Sequence, residues 1–158
     1  MIGSGRVGGR PARSRDSRSR DTSRTLSQEN VELAYRAHDA FNRRDLETFV
    51  ALTDPEVELM PLNVESPGST SYHGHGGVRS CWQDLLEVSP GLRTEVDEVR
   101  DLGDVTLVRV RFRGHGMESD APMEQPAWQV AEWRHDKAVS WRTCTSEAEA
   151  LEVAGLSE

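Results

Sequence analysis

The chain has 158 residues, 35% of them hydrophobic, and a formal net charge of −8 at pH 7, which predicts one domain with its own core. Residues 1–25 carry seven Arg against two Asp, or +5, so the charge of residues 26–158 is −13. This acidity argues against nucleic acid as a partner, because phosphate binding needs clustered Lys and Arg, and no apolar run is long enough for a membrane partner.

The first predicted helix follows a segment of different composition. Residues 1–25 are rich in Arg, Gly and Ser and contain no aromatic residue. Such a segment cannot bury enough apolar surface to fold, so a disordered extension is expected before a domain over residues 26–158. Ser27 is the predicted N-cap of the helix. Its apolar residues recur at helical spacing: Leu33, Ala34, Ala37, Ala40 and Phe41.

A second, shorter helix is predicted over residues 46–52, with Asp45 as its N-cap. It ends before Pro55, because the residue preceding a proline avoids the helical region. A strand over residues 57–60 follows. A third helix is then indicated by an apolar stripe of Val78, Cys81, Trp82, Leu85 and Leu86.

The second half of the chain predicts strands. Two of them cover residues 92–102 and 104–114, and a hairpin joins residues 127–134 to 138–145. In the second strand the alternation is strict: Thr106, Val108, Val110 and Phe112 lie on one side, and Arg109, Arg111 and Arg113 on the other.

Three segments carry a family resemblance: the helix and AFNRRDL corner ending at Leu46, the strand beginning DPEVE, and the helix start at Tyr72–Arg79. Their order and spacing resemble the SnoaL-like family of the nuclear-transport-factor-2-like superfamily, whose fold also occurs in ketosteroid isomerase and limonene epoxide hydrolase. The resemblance covers residues 27–158. It implies an α+β cone: a curved, mixed or antiparallel sheet wrapped by three N-terminal helices, with a short C-terminal helix in SEAEALEVAGLSE.

The resemblance also suggests where translation starts. Family members commonly begin M-S-Q-E-N-V-E, and here Leu26 directly precedes Ser27-Gln28-Glu29-Asn30. A TTG or CTG codon is read as Met when it initiates and as Leu when it is internal. We therefore expect Leu26 to be the initiator, which the intact mass of the native protein tests.

A cavity at the wide end of the cone is the second implication of the resemblance. Its expected polar group is Gln129, and its expected wall is apolar: Ala37, Phe41, Met60, Trp82, Val110, Phe112 and Trp141. The alternative interpretation is that some of these side chains simply fill the cone.

The chemistry of two relatives is absent from the matching positions. Ketosteroid isomerase uses a carboxylate base, a tyrosine and a protonated aspartate. Their positions fall on or beside Met60, on Ala37 and on Gln129, and a supporting tyrosine falls on Trp82. Limonene epoxide hydrolase places an aspartate two residues beyond an arginine, where this chain has Arg113 after Arg111. Neither activity is expected.

Several histidines are candidate polar groups. His38 is expected at the cavity rim or in solvent, and His115 lies in a loop near Asp120, where the two can form an acid–base pair or an ordinary polar turn. His73 and His75 have the spacing of two metal ligands but no evident third. No metal site and no cofactor is expected.

The arginine row of the second strand has two interpretations. It can lie on the outer sheet face, pairing with Glu95 and Asp97 in a region that relatives use for dimerisation. Alternatively, one arginine points into the cavity mouth. Without a secretory signal, Cys81 and Cys144 are expected to be reduced and buried in a cytoplasmic protein.

The first functional hypothesis is a cytoplasmic homodimer whose cavity binds a small, mostly apolar metabolite. Whether it is an enzyme stays open. One alternative is a cofactor-free isomerase, cyclase or hydrolase acting on a polyketide- or terpenoid-like substrate, as the family implies. The other is a non-catalytic protein-association module.

Overall fold

A computed structural model describes residues 15–61, 71–115 and 122–155, and gives the backbone alone for residues 15–27, 115 and 122–123. The elements in chain order are α1 (Arg15–Asn42), α2 (Leu46–Ala51), β1 (Thr53–Met60), β2 (Tyr72–His73), α3 (Gly74–Val88), β3 (Arg93–Asp101), β4 (Val105–His115), β5 (Pro122–Arg134), β6 (Lys137–Cys144) and α4 (Glu147–Val153).

The strands form one curved sheet in the order β2-β1-β6-β5-β4-β3. Neighbouring strands are antiparallel except β1 and β6, which are parallel. Helices α1 and α3 pack on one side of this mixed sheet, here called the inner face, and α4 packs near one end of the outer face. The predicted α+β architecture is confirmed. Within the described residues no helix combines the length and apolar content needed to cross a membrane.

The start of α1 differs from the prediction. The helix begins at Arg15, so Ser27 lies inside it and is not its N-cap. Residues 15–26 contain neither glycine nor proline, and nothing in them interrupts the backbone hydrogen bonds of a helix. Residues 1–14 of the expected extension lie outside the described residues. The division of the chain at residue 26, and Leu26 as the initiator, stay predictions.

The corner between α1 and α2 is held by two side chains. Asp45 caps α2 as predicted, accepting a hydrogen bond from the backbone N–H of Thr48 at 3.2 Å. Arg44 has a left-handed backbone, with φ of 60°. Its guanidinium donates to the carbonyl oxygens of Phe41 at 2.9 Å, Pro90 at 2.9 Å and Leu92 at 2.6 Å. This Arg44 clamp joins the end of α1 to the loop before β3.

Two element boundaries have local causes. Strand β1 begins at Thr53, four residues earlier than predicted, and includes Pro55. The ladder with β6 is irregular between Thr53 and Glu58, so the missing N–H of Pro55 breaks no paired register. Strand β2 runs directly into α3, and this brings Gly77 so close to Tyr72 that a Cβ on Gly77 would stand 2.9 Å from the Tyr72 carbonyl carbon. The close approach requires glycine at this position.

The core has two parts. The main core lies between the inner face and the helices, and its fully buried side chains include Val57, Val78, Val108 and Val110. A smaller core lies on the outer face under α4 and contains Leu107, Val130, Cys144 and Ala150. The outer face is therefore apolar at the α4 end and charged further along β4, where Arg109, Arg111 and Arg113 lie.

Candidate functional site

A cavity of about 240 Å³ lies between the inner face and helices α1, α2 and α3. Its wall is mostly apolar and includes one end of β1. The lining residues are Ala37, His38, Phe41, Phe49, Leu59, Pro61, Cys81, Trp82, Leu85, Leu92, Thr94, Phe112, Gln125, Gln129, Trp141 and Thr143.

The structure brings six of the predicted wall residues together. The predicted residues that line the cavity are Ala37, Phe41, Trp82, Phe112, Gln129 and Trp141. Met60 does not line it, because side chains alternate along β1 and Leu59 occupies the inner position. Val110 does not line it either, since this side chain is completely buried in the main core.

Aromatic rings form one side of the cavity. Trp82 of α3 meets Phe41 of α1 edge-on, with ring centroids 5.0 Å apart, and Phe49 of α2 at 5.3 Å. Phe49 also approaches Trp141 of β6 at 5.9 Å. Edge-to-face packing at these distances is favourable. The helices and the sheet thus meet through rings whose remaining surface faces the cavity.

His38 is not at the rim or in solvent but inside the cavity wall, with 6% of its surface exposed. Its Nδ1 lies 3.0 Å from the Oγ1 of Thr94 on β3. Asn42, one turn further along α1, accepts from the backbone N–H of Thr94 at 2.8 Å and donates to the carbonyl of Thr94 at 2.9 Å. The contact between α1 and β3 therefore fixes the histidine ring in place.

The second polar group of the cavity is Gln129 on β5, which is 6% exposed. Its Nε2 donates to the Oγ1 of Thr143, across the β5–β6 pair, at 3.4 Å. Two buried atoms of the cavity have no hydrogen-bond partner within 3.5 Å among the described residues: Nε2 of His38 and Oε1 of Gln129. Burial lowers the pKa of His38 to about 4, although a hydrogen-bonding interaction of its ring with the Gln129 side chain opposes that fall. His38 is therefore a neutral imidazole at neutral pH.

The wall contains neither a carboxylate nor an activated nucleophile among its described residues. The thiol of Cys81 lines the cavity, but burial, and secondly Asp84, raise its pKa to about 12. A thiol is a poor nucleophile when so little thiolate forms. Cys81 and Cys144 are both buried free thiols, as predicted.

The remaining candidate residues lie away from the cavity. His73 Nε2 is 3.4 Å from Glu56 Oε1, and His75 Nε2 is 3.0 Å from the carbonyl oxygen of Thr53. No cluster of metal-ligating side chains occurs in the part of the chain that the structure describes. The side chain of His115 and the whole of Asp120 lie outside that part.

The arginine row lies on the outer face, as the first of its two interpretations predicts. Arg111 contacts Glu95 at 2.7 Å, Asp97 at 2.8 Å and Glu124 at 2.9 Å. Arg113 contacts Glu95 at 3.1 Å. Neither arginine lines the cavity.

Sequence reasoning missed Thr94, Thr143 and Phe49 as wall residues. Thr143 pairs with Gln129, so the predicted hairpin register was the signal that identifies it. Thr94 lies opposite Phe112 in the β3–β4 pair and faces the same side. The residues of the cavity wall that were missed are Phe49, Leu59, Pro61, Cys81, Leu85, Leu92, Thr94, Gln125 and Thr143.

This fold agrees with the comparisons to known proteins. The SnoaL-like domain family matches residues 34–141, more than half of the chain, and the chain belongs to that family. No curated protein matches it.

Solved structures with the same fold include an NTF2-like protein of unknown function from Burkholderia pseudomallei K96243, with 21% identity and a TM-score of 0.68 over 78% of this chain and 95% of that one. A candidate SnoaL-like polyketide cyclase from Jannaschia sp. CCS1 shares 18% identity, with a TM-score of 0.65 over 83% and 94%. TerC, co-crystallised with polyporic acid, shares 18% identity, with a TM-score of 0.67 over 80% and 98%. At these identities the likeness establishes the fold alone.

Proposed function

We propose that the cavity binds a small, mostly apolar, neutral molecule and that His38 and Gln129 hold its polar group. The observation that carries this proposal is the pair of buried atoms without a partner, His38 Nε2 and Gln129 Oε1, in an otherwise apolar wall. Leaving a buried polar atom unpaired costs about 1–3 kcal/mol. A bound molecule that hydrogen-bonds to these atoms recovers that free energy.

The size and charge of the cavity narrow the ligand further. Its volume of about 240 Å³ is below the roughly 300–1,000 Å³ of pockets for drug-sized molecules, which favours a compact ligand. No charged side chain is among the described lining residues, and His38 is neutral at pH 7. An ionised ligand would lose its hydration without gaining a counter-charge, so a neutral one is favoured.

The binding test uses the tryptophans of the wall as reporters. Trp82 and Trp141 both line the cavity, so a bound molecule changes their fluorescence. We expect at least one member of a panel of small cyclic ketones, lactones, alcohols and terpenoids to give a saturable change. If no member changes the signal, the binding proposal is wrong.

The role of Gln129 is tested by Gln129→Leu, which removes the amide and keeps the side-chain volume nearly constant. The fold should persist, because the hydrogen bond of the amide to Thr143 is long, at 3.4 Å, and its other neighbour is the neutral His38 ring. Affinity should fall by about 1–3 kcal/mol, the cost of an unpaired polar group. Gln83→Leu is the matched control, since Gln83 is exposed on α3 and should leave affinity unchanged. Unchanged affinity in Gln129→Leu would reject the role of Gln129 alone.

A second candidate function is cofactor-free acid–base chemistry on the same molecule, an isomerisation, cyclisation or hydration of a polyketide- or terpenoid-like substrate. The observation in its favour is the neutral imidazole of His38 in the cavity wall, which in its Nδ1-protonated tautomer can accept a proton at Nε2 from a bound substrate. With a pKa of about 4, His38 is a weak base that suits only acidic C–H or O–H groups. His38→Gln should abolish turnover and retain binding if this chemistry occurs.

We also propose a cytoplasmic homodimer that forms through the outer face. Support comes from the sheet itself, which helices cover on the inner side while the charged stretch around Arg111 remains exposed on the other. Light scattering of the full chain at micromolar concentration should give twice the monomer mass. A monomer mass would contradict the dimer and remove the support for a protein-association module that uses this face.

A further inference from the structure

Aromatic side chains line the cavity on both of its sides. Phe41, Phe49 and Trp82 belong to the three helices. Phe112 and Trp141 belong to strands β4 and β6 of the inner face. Because the cavity lies between the helices and this face, a molecule that enters it can contact aromatic rings from both sides at once.

The rings of the wall are inclined steeply to one another and are not stacked face to face. The plane of Trp82 meets that of Phe41 at 76° and that of Phe49 at 61°. The planes of Phe49 and Trp141 meet at 55°. Aromatic rings attract one another edge to face or offset and stacked, because the ring face is negative and the edge positive. A ligand ring can join such a cluster by its edge or its face, whereas a saturated ring contributes only its burial.

Phe112 provides a ring that the protein itself does not use in this way. Its side chain lines the cavity and is half-buried. It forms no ring pair with another aromatic side chain in the part of the chain that the structure describes. The Phe112 ring is therefore available to a ligand, and replacing it breaks no ring contact within the described protein.

We propose that the cavity prefers aromatic molecules over saturated molecules that have the same skeleton and the same polar group. This inference rests on the proposed function and names the chemical class of its ligand. The ligand ring lies between the helix side, with Trp82, and the sheet side, with Phe112. A dry cavity of about 150 Å³ holds one benzene ring, so a cavity of about 240 Å³ accommodates two fused rings.

The test compares two ligands that differ only in aromaticity. Isothermal titration calorimetry at pH 7 on the full chain uses 2-naphthol and decahydro-2-naphthol, which share a bicyclic skeleton and a hydroxyl group. The saturated compound has the larger apolar surface, so burial alone would make it bind at least as tightly. We expect 2-naphthol to bind about three- to tenfold tighter, since an aromatic pair adds roughly that factor to burial.

Two variants show whether the wall rings cause the preference. Phe112→Leu should lower the ratio of the two affinities by about two- to threefold, because it removes one ring contact and keeps the wall apolar. Tyr35→Leu is the matched control: it removes an exposed ring of α1 outside the cavity, so the ratio should stay the same. An unchanged ratio in Phe112→Leu would reject the contact with Phe112.

The outcomes separate this inference from the function on which it rests. If decahydro-2-naphthol binds as tightly as 2-naphthol, the aromatic preference is wrong and cavity binding stands. If neither compound binds, the aromatic preference is again wrong, and the fluorescence panel decides cavity binding separately.

Discussion

Polar groups on the outer face of the sheet are paired with one another, whereas those in the cavity on the inner face keep unpaired atoms. On the outer face Arg111 is surrounded by Glu95, Asp97 and Glu124, and each charge finds an opposite charge in contact with water. On the inner face His38 and Gln129 lie in an apolar wall, and each keeps one polar atom without a partner. The charges around Arg111 pair with one another. The two neutral side chains of the inner face, His38 and Gln129, are therefore the stronger indication of a ligand site.

The pKa values follow the same contrast. The carboxylates of Asp97 and Glu124 raise the pKa of Arg111 above its usual range, because they stabilise its charged form. Burial lowers the pKa of His38 to about 4, because the apolar wall destabilises the charged form. Water and salt weaken the first effect, because Arg111 is partly exposed, whereas the buried ring of His38 is screened much less.

The largest loss of stability is expected from a substitution of Trp82, which packs over the inner face. Trp82→Ala removes the ring that packs edge-on against Phe41 and Phe49. We expect a loss of about 3–5 kcal/mol in the free energy of unfolding, as for other buried tryptophans. Urea denaturation followed by circular dichroism measures it, with Trp82→Phe as the conservative control. A loss in Trp82→Ala no larger than in Trp82→Phe would show that the wall collapses around the missing ring.

The next largest effect is the pH dependence of the free energy of unfolding that is due to His38. Its pKa falls from 6.5 when unfolded to about 4 when folded, so between these values the unfolded chain binds more protons and acid favours unfolding. The contribution is absent above pH 6.5 and grows as the pH falls to 4, reaching about 3 kcal/mol of destabilisation.

Unfolding curves at pH 4.5 and 7.5 test this prediction. His38→Leu should lose less stability than the wild type between the two values. His135→Asn is the control, since His135 is exposed in the β5–β6 turn with φ of 52°, a conformation that asparagine tolerates. An equal loss in His38→Leu and in the wild type would place His38 in contact with water.

The smallest change in stability is expected from a substitution of Arg111 on the outer face. Arg111→Gln removes contacts with three acidic side chains, but all of these groups are partly exposed to water. We expect a smaller change in unfolding free energy than for Trp82→Ala, and one that fades as salt is added. Urea midpoints at low and high salt measure it. A large loss that persists in high salt would mean that the outer face is not a solvent-screened surface.

Much of the fold could be predicted from local patterns. The alternation of Thr106, Val108 and Val110 identified the inner side of β4, and the Asp45 cap located α2, because both signals depend on neighbouring residues. The start of α1 could not be located, since a possible cap at Ser27 does not require a helix to begin there.

The site was predictable only in part. The sequence predicts Met60 in the wall, but Leu59 faces inward, because a shift of one residue along a strand exchanges the two faces. The depth of His38 depends on Thr94, which lies 56 residues away in the sequence. Helical spacing gives a residue's direction around α1 but not what packs above it. The sequence therefore predicts His38 at the rim or in solvent, although it lies inside the cavity wall.

The Arg44 clamp fixes part of the backbone around the cavity. Arg44 holds the end of α1 against the loop before β3 through the carbonyl oxygens of Phe41, Pro90 and Leu92. Every residue type supplies a carbonyl oxygen, so these hydrogen bonds survive a change of side chain at any of the three positions. Phe41 and Leu92 both line the cavity. Leu92 is therefore a wall position where a substitution can alter which ligand is accommodated while the Arg44 hydrogen bonds remain. Phe41 is more constrained, because its ring also lies 5.1 Å from the Arg44 guanidinium and packs on Trp82.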